Sequence, residues 1–406
     1  MPADEGEGSL NTVVWVSGAL RADHLGCYGA RRIRTPTIDA LAASGVRFDH
    51  CIAAAPRTSL AATSIATGRY PHHHGVLDWG SEVASDTETM QGRFARAGFE
   101  VASFVFDEGF LFRNIPDAMV RGRSDSIDPI LGWLEANARQ PFHLFVHSWA
   151  THLPYNAPHR SRAEWREGKR RIIERIRSDQ ASGVESAREA YRRAVEHQSE
   201  HNIAALLETL DELGLRESTA VVVTADHGES WGERFADRSE VRGVYQLHGA
   251  GLWDEVLHVP LIVAAPGLGP AVVPSQVRTV DVAPTVLDLA GLDPLPAADG
   301  SSLLPLLDGR ERGDRTAFAV TSDLGNLSQM AVRQPPWKLV RWVPSDDEEA
   351  YRLDADPREQ TDVRAQVPRR LRRMLDDELA TVRREVVMSV EEEETVTRRL
   401  EDLGYL

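Results

Sequence analysis

Several stretches of this chain are almost continuously apolar over the length of a strand: Thr12–Ser17 (TVVWVS), Val101–Phe106 (VASFVF), Phe142–His147 (FHLFVH), Ala220–Thr224 (AVVVT) and Val259–Ala264 (VPLIVA). A strand with one wet face alternates apolar and polar residues. One that is apolar on both faces must be covered on both, as parallel strands of α/β proteins are. The segments between carry helical patterns that can supply the cover. Ile38, Leu41 and Ala42 recur at helical spacing within Pro36–Ser44, with Thr35 as candidate N-cap and proline at the first helical position. Ser59–Thr67 is small and apolar and stops at Gly68. From about Arg160 to Gln180 the chain is dense in Arg, Lys and Glu, with Trp165, Ile172, Ile173 and Ile176 at helical intervals. This reads as a charged helical excursion with a solvated outer face. A longer helix from about Ser186 to Leu213 ends at Gly214. The pattern predicts an α/β fold: a mostly parallel central sheet with helices on both faces.

Past Pro305 the texture changes. Ala317–Thr321, Gln329–Arg333 and Lys338–Val343 are short candidate strands and Pro368–Arg384 a candidate helix, which predicts a small C-terminal α+β subdomain. The division expected is a core over 1–310 and the subdomain over 311–406.

Charge excludes some partners. The formal net charge is −16, and nucleic acid and anionic membranes both reward clustered Lys and Arg, so neither is an expected partner. An anionic ligand would need a local positive site. The start, Met1 to Leu10, has three acids and no apolar run, and no later stretch is apolar for the length of a bilayer, so a cytoplasmic location is expected. Cys27 and Cys51 are read as free thiols, because a lone disulfide is rare in an unexported chain.

In open parallel sheets, ligands gather at the carboxyl ends of strands. After AVVVT comes Ala225-Asp226-His227-Gly228-Glu229, a carboxylate and an imidazole able to share one cation. The competing reading is a helix-capping Asp beside a surface His. After FHLFVH comes a loop held extended by Pro154 and Pro158, in which His152 could donate a proton to a leaving oxygen or bind an anion. His248, before Gly249 and Gly251, could do similar work. The trio His72-His73-His74 reads as a loop with one or two rings packed and the rest solvated, since consecutive residues seldom converge on one ion.

Together these segments resemble the sulfatase family of the alkaline-phosphatase superfamily. The matching text runs in order along nearly the whole chain: LRADHLGCYG at Leu20–Gly29, RTPTIDALAASGVRF at Arg34–Phe48, TGRYPHHHGV at Thr67–Val76, THLPY at Thr151–Tyr155, VVVTADHGE at Val221–Glu229 and LHVPLIV at Leu257–Val263. WKLV at Trp337–Val340, YRLDADPRE at Tyr351–Glu359 and LGYL at Leu403–Leu406 continue it. The resemblance implies a divalent cation (Ca, Mg, Mn or Zn), a nucleophile starting a helix, and hydrolysis of a sulfate or phosphate ester. It places Asp226 and His227 at the family's second pair of metal ligands, His152 at its substrate-contacting histidine, and His248 near its usual Lys or His.

The departures are as informative. Where the family carries the first metal-binding Asp residues, this chain has Gly18 and Ala19. The family's C/S-x-P-x-R motif, whose first residue becomes formylglycine, reads Thr58-Ser59-Leu60-Ala61-Ala62 here. Thr cannot be oxidised to that aldehyde, which closes the formylglycine route. An unmodified Thr serves as nucleophile in related phosphodiesterases and phosphotransferases, but it is weak until activated. The cation is expected to be weakly bound or absent, with Asp23 and Asp107 as the acids near enough to substitute. Two functions follow as expectations: a divergent ester hydrolase or transferase using Thr58, or a catalytically inactive scaffold that binds a small anion or a protein partner. Oligomeric state is not legible.

Overall fold

The computed structural model describes residues 10–78, 81, 83–84, 86–106, 112, 115, 119–155, 162–178, 180–231, 248–249, 251–323 and 326–382. Expectations placed on Met1–Ser9, Asp107, Pro158, Arg160, Arg383–Arg384 and Leu403–Leu406 lie outside the described residues.

The apolar runs form the middle of an eight-stranded sheet. In chain order its strands are β1 (Asn11–Ser17), β2 (Val46–Ile52), β3 (Glu100–Val105), β4 (Val120–Arg123), β5 (Phe142–Ser148), β6 (Thr219–Ala225), β7 (His258–Ala264) and β8 (Ala271–Arg278). They lie side by side as β4-β3-β5-β1-β6-β7-β2-β8. Every residue of β1, β5 and β6 is buried, as continuous apolar runs require. These strands pair in parallel, whereas β7 runs antiparallel to both β6 and β2. Register aligns Ser17 with Ser148 and with Ala225, so the chain leaves three central strands at one level.

The helices are α1 (Pro36–Ser44), α2 (Thr58–Thr67), α3 (Pro71–His74), α4 (Met90–Arg96), α5 (Asp128–Asn137), α6 (Arg162–Ser178), α7 (Gln180–His197), α8 (Ala204–Glu212), α9 (Asp254–Leu257), α10 (Val282–Leu289), α11 (Leu304–Leu307) and α12 (Arg369–Leu379). Helix α1 begins after Thr35 as expected, but the Thr35 hydroxyl donates to Asp39 instead of capping. The long helix expected over Ser186–Leu213 is two helices joined by a π-helical turn at Gln198–Ile203. That turn carries the reason for the interruption: Gln198 donates to Ser17 Oγ at 2.6 Å and accepts from Ser148 Oγ at 3.2 Å, tying together the ends of β1 and β5.

A second, antiparallel sheet of β9 (Ala317–Asp323), β10 (Asn326–Gln334), β11 (Trp337–Trp342) and β12 (Glu348–Arg352) has the order β12-β11-β10-β9. Strand β12 was not anticipated, because EEAYR buries only Ala350 and Tyr351 and lacks an apolar run. The small sheet's apolar cluster includes Val320, Met330, Val332, Leu339, Leu371 and Leu375, and also Leu60 and Ala61 of α2. On its other side α2 gives Ala62, Ile65 and Ala66 to the large core, and all ten of its residues are buried. A charge network adds to the join. Lys338 Nζ, fully buried, lies 2.8 Å from Asp254 and 2.7 Å from Glu359, and Arg333 reaches Asp254 at 2.8 Å.

Both cysteines are free, and burial pushes the Cys27 thiol up to about 12. Among the described residues no helix is long and apolar enough to cross a membrane.

Candidate functional site

Helix α2 starts where the chain leaves β2, and its first residue is Thr58. All four of Thr58, His152, His227 and His248 are buried, and the structure brings them to one place. Thr58 Oγ1 lies 3.2 Å from His227 Nε2. His227 Nδ1 faces the Gly228 carbonyl at 2.8 Å, and a carbonyl only accepts, so Nδ1 carries the ring hydrogen. In the neutral ring Nε2 is then a lone pair, and the Thr58 hydroxyl donates to it. The His227 and His248 rings are 4.7 Å apart, and those of His248 and His152 4.9 Å.

His152 is held the same way. Its Nδ1 donates to the Leu153 carbonyl at 2.9 Å, which makes Nε2 an acceptor, and that buried atom has no hydrogen-bond partner. Burial, with the neighbouring His248, holds this imidazole well below its ordinary 6.5. The neutral ring presents a lone pair at Nε2.

Asp226 is where the expected metal site meets its test. Oδ1 accepts from Ala19 N at 2.9 Å and His227 N at 2.7 Å, while Oδ2 accepts from His147 Nε2 at 2.9 Å. The His147 tautomer follows from its other side. Trp149 Nε1–H can only donate, and it points at His147 Nδ1 from 3.1 Å, so Nε2–H belongs to Asp226. Burial alone would raise the Asp226 carboxyl, but the His227 and His147 rings and the Ala19 N–H hold it below the usual carboxylate range.

These residues do not fit a divalent cation. Ca²⁺ takes six to eight oxygens and Mg²⁺ a near-ideal octahedron. Here the carboxylate already accepts three protein N–H groups, and His227 Nε2 is engaged by Thr58. Gly18 and Ala19 contribute only backbone. A Cβ on Gly18 would sit 3.2 Å from the Ser148 carbonyl oxygen, tight enough that this backbone would have to give. Asp23 does not make up the deficit, being ion-paired to Arg21 at 2.8 Å with its side chain mostly in solvent. Asp226 and His227, expected as metal ligands, thus already have these protein partners, with His227 Nε2 3.6 Å from Asp226 Oδ2. Leu60 and Ala62, where the modification motif has Pro and Arg, are core residues without exposure.

Several neighbours were invisible to sequence reasoning. The excursion α6 buries one face of itself, and through it Trp165 and Lys169 enter the site. Trp165 Nε1 donates to the Leu153 carbonyl at 3.1 Å, and Lys169 lies over the Trp165 ring at 5.2 Å. Trp149 stacks on His152 at 4.0 Å and Phe106 on Trp149 at 4.1 Å, a continuous aromatic wall. Burial pulls the Lys169 ammonium down to about 7, against the attraction of Glu229. Trp165 stood out in the sequence only as part of a helical stripe, and Lys169 as one charge among many.

Glu229 closes the site from below. Its Oε2 accepts from Tyr155 at 2.6 Å, and its Oε1 shares a proton with His248 Nδ1 at 2.9 Å. Burial raises its carboxyl from 4.5 to about 8 despite the Tyr155 hydrogen bond. Between pH 4.5 and 8 the folded state holds a proton that the unfolded chain has lost, so this group makes stability fall as pH rises across that window and levels off above it. Glu229→Gln removes the dependence. The stability difference between wild type and variant, followed by denaturant titration at pH 5 and 8, is expected to move against the wild type; a constant difference refutes the raised value.

Comparison with known proteins gives one answer. The sequence matches the family described as Sulfatase over residues 11–116 and 122–292, and that described as N-sulphoglucosamine sulphohydrolase, C-terminal, over residues 250–385. It is 30% identical over 195 residues to a choline-sulfatase of Rhizobium meliloti, covering 46% of this chain and 34% of that one. Against an ulvan-active sulfatase of Formosa agariphila it is 25% identical over 303 residues, 70% of this chain and 55% of the other. The chain thus spans about a third to a half of these curated relatives. In fold it is similar to the phosphonate monoester hydrolase of Agrobacterium radiobacter, with a TM-score of 0.71 at 20% identity over 92% of this chain and 95% of that one.

Proposed function

Because the chain belongs to the sulfatase family, we propose that it is a hydrolase or group-transfer enzyme for a small anionic sulfate or phosphate ester, with unmodified Thr58 as nucleophile and His227 as its base. The observation that carries this reading is the 3.2 Å contact between Thr58 Oγ1 and a His227 Nε2 whose other ring nitrogen is already committed to a carbonyl. Such a ring takes the hydroxyl proton as the oxygen attacks sulfur or phosphorus. The ester's leaving oxygen departs with a proton from Lys169, whose value near 7 suits donation at neutral pH. Once His227 has lost that proton to solvent and Lys169 has regained one, His227 takes a proton from water, or from an acceptor hydroxyl, as its oxygen attacks sulfur or phosphorus, and returns it to Thr58 Oγ1 as the bond to Thr58 breaks.

The surroundings favour an anion. Thr58 and Ser59 open a ten-residue helix, whose first N–H groups and dipole attract negative charge. Ser59 Oγ is a buried hydroxyl without a partner, which an ester oxygen would satisfy, while the His152 Nε2 lone pair suits a donor such as water. Lys169 and Arg57, both of which act on His248, supply local positive charge in a chain of net −16.

A second reading rests on Asp226. The three N–H donors held by its carboxylate also suit a scaffold that binds an anion without turning it over. Aryl sulfate and aryl phosphate esters, assayed with excess chelator, separate the two. Turnover that persists in chelator is the expected result. Turnover abolished by chelator and restored by a cation overturns the metal-free route, and anion binding with no turnover favours the scaffold.

A further inference from the structure

We propose a transition-metal site of the zinc type, apart from the Thr58 site, formed by His72, His73 and Glu378. One ligand atom from each of these three residues lies within 4.8 Å of the others. His72 Nε2 is 2.8 Å from Glu378 Oε1 and His73 Nε2 is 4.0 Å from the same oxygen. Tetrahedral Zn²⁺ with bonds of about 2.0–2.1 Å sets its ligand atoms about 3.3 Å apart, between those two separations, so small ring rotations complete the geometry.

Neighbouring residues can converge here because α3 is a single turn. Successive side chains differ by about 100° around it, and the rings of His72 and His73 lie 4.3 Å apart. Asp299 prepares the second of them. Its carboxylate accepts from His73 Nδ1 at 2.9 Å and from Tyr70 N at 2.7 Å, which directs the His73 Nε2 lone pair toward Glu378 and the Thr381 hydroxyl 2.8 Å away. A carboxylate behind a ligating histidine is the usual support for such a ligand. Two imidazoles and a single carboxylate suit zinc-like ions and not Ca²⁺ or Mg²⁺, which take oxygen. Thr381 Oγ1 or a water fills the fourth position.

The ligands come from distant parts of the chain. His72 and His73 follow α2, and Glu378 ends α12, which packs on the small sheet. Bound metal clamps the C-terminal helix to the segment that carries the nucleophile helix.

The test uses the full-length chain stripped with chelator, titrated with ZnCl₂ by calorimetry and followed by thermal unfolding. About one equivalent of Zn²⁺ is expected to bind and raise Tm by roughly 5 °C, while MgCl₂ and CaCl₂ leave Tm unchanged. Glu378→Gln and His73→Gln are each expected to weaken binding at least about 10-fold, and Asp299→Asn about 10–100-fold. Asp226→Asn leaves it unaltered, which keeps this site separate from the Thr58 site. A Co²⁺-loaded wild type gives the strong visible bands of a tetrahedral site, a readout that survives if a variant does not fold. No uptake, equal uptake by wild type and Glu378→Gln, or an octahedral Co²⁺ spectrum each overturns the proposal.

Discussion

Thr58→Ala is expected to lower kcat/KM for the ester substrate by at least about 10³-fold, with the protein still folded. The substitution removes the attacking oxygen and leaves His227 Nε2 with no proton to take. Its structural cost is small, because Thr58 is the first residue of α2 and its hydroxyl caps nothing. Thr58→Ser keeps the oxygen at the same helix position and should retain most turnover, which makes it the control for a purely structural effect. His227→Gln should lose activity to a similar degree, since an amide cannot take up the proton. Steady-state kinetics on the same aryl esters decides: if Thr58→Ala hydrolyses within about tenfold of the wild type, Thr58 is not the nucleophile.

Lys338→Met is expected to destabilise the protein by about 3–5 kcal/mol, the usual cost of removing one partner from a buried ion pair. Lys338 has no exposure and lies between two carboxylates. Burial raises both acids. Arg333 and Lys338 outweigh it at Asp254, whose carboxyl falls below the usual range, but Lys338 does not outweigh it at Glu359, whose carboxyl stays raised. Without the ammonium, Glu359 is left buried beside a second carboxylate. Lys338→Met with Glu359→Gln should recover part of the loss, because the uncompensated charge goes with it. Urea denaturation of the three proteins measures this, and a loss under about 1 kcal/mol for the single variant refutes the assignment.

What could be read from the sequence and what could not divides along a physical line. Strands β1, β5 and β6 were legible because burial on both faces leaves a local signature, and α2 because a small apolar helix closed by Gly68 leaves another. Strand β12 was not, since only two of its residues are buried. At the site, Thr58, His152, His227 and His248 were legible as residues, but their hydrogen-bond polarity was not. Nothing in the text of the chain says that Trp149 fixes the His147 tautomer, or that His147 then occupies Asp226. The histidine trio was legible as packing, since the His72 and His74 rings are buried and His73 is partly exposed, but the contact of His72 with Glu378, more than 300 residues away, was not. Lys169 lay hidden in a charged run whose buried face emerges only when α6 packs.

The position of α2 also bears on how the protein is made. During synthesis the chain up to β8 emerges before β9–β12, yet Leu60 and Ala61 pack in a cluster made largely of residues of that later sheet and of α12. A nascent chain halted near residue 300 therefore presents an apolar helix face beside Thr58, a natural point for chaperone capture. Truncation near residue 300 should therefore yield aggregation-prone material.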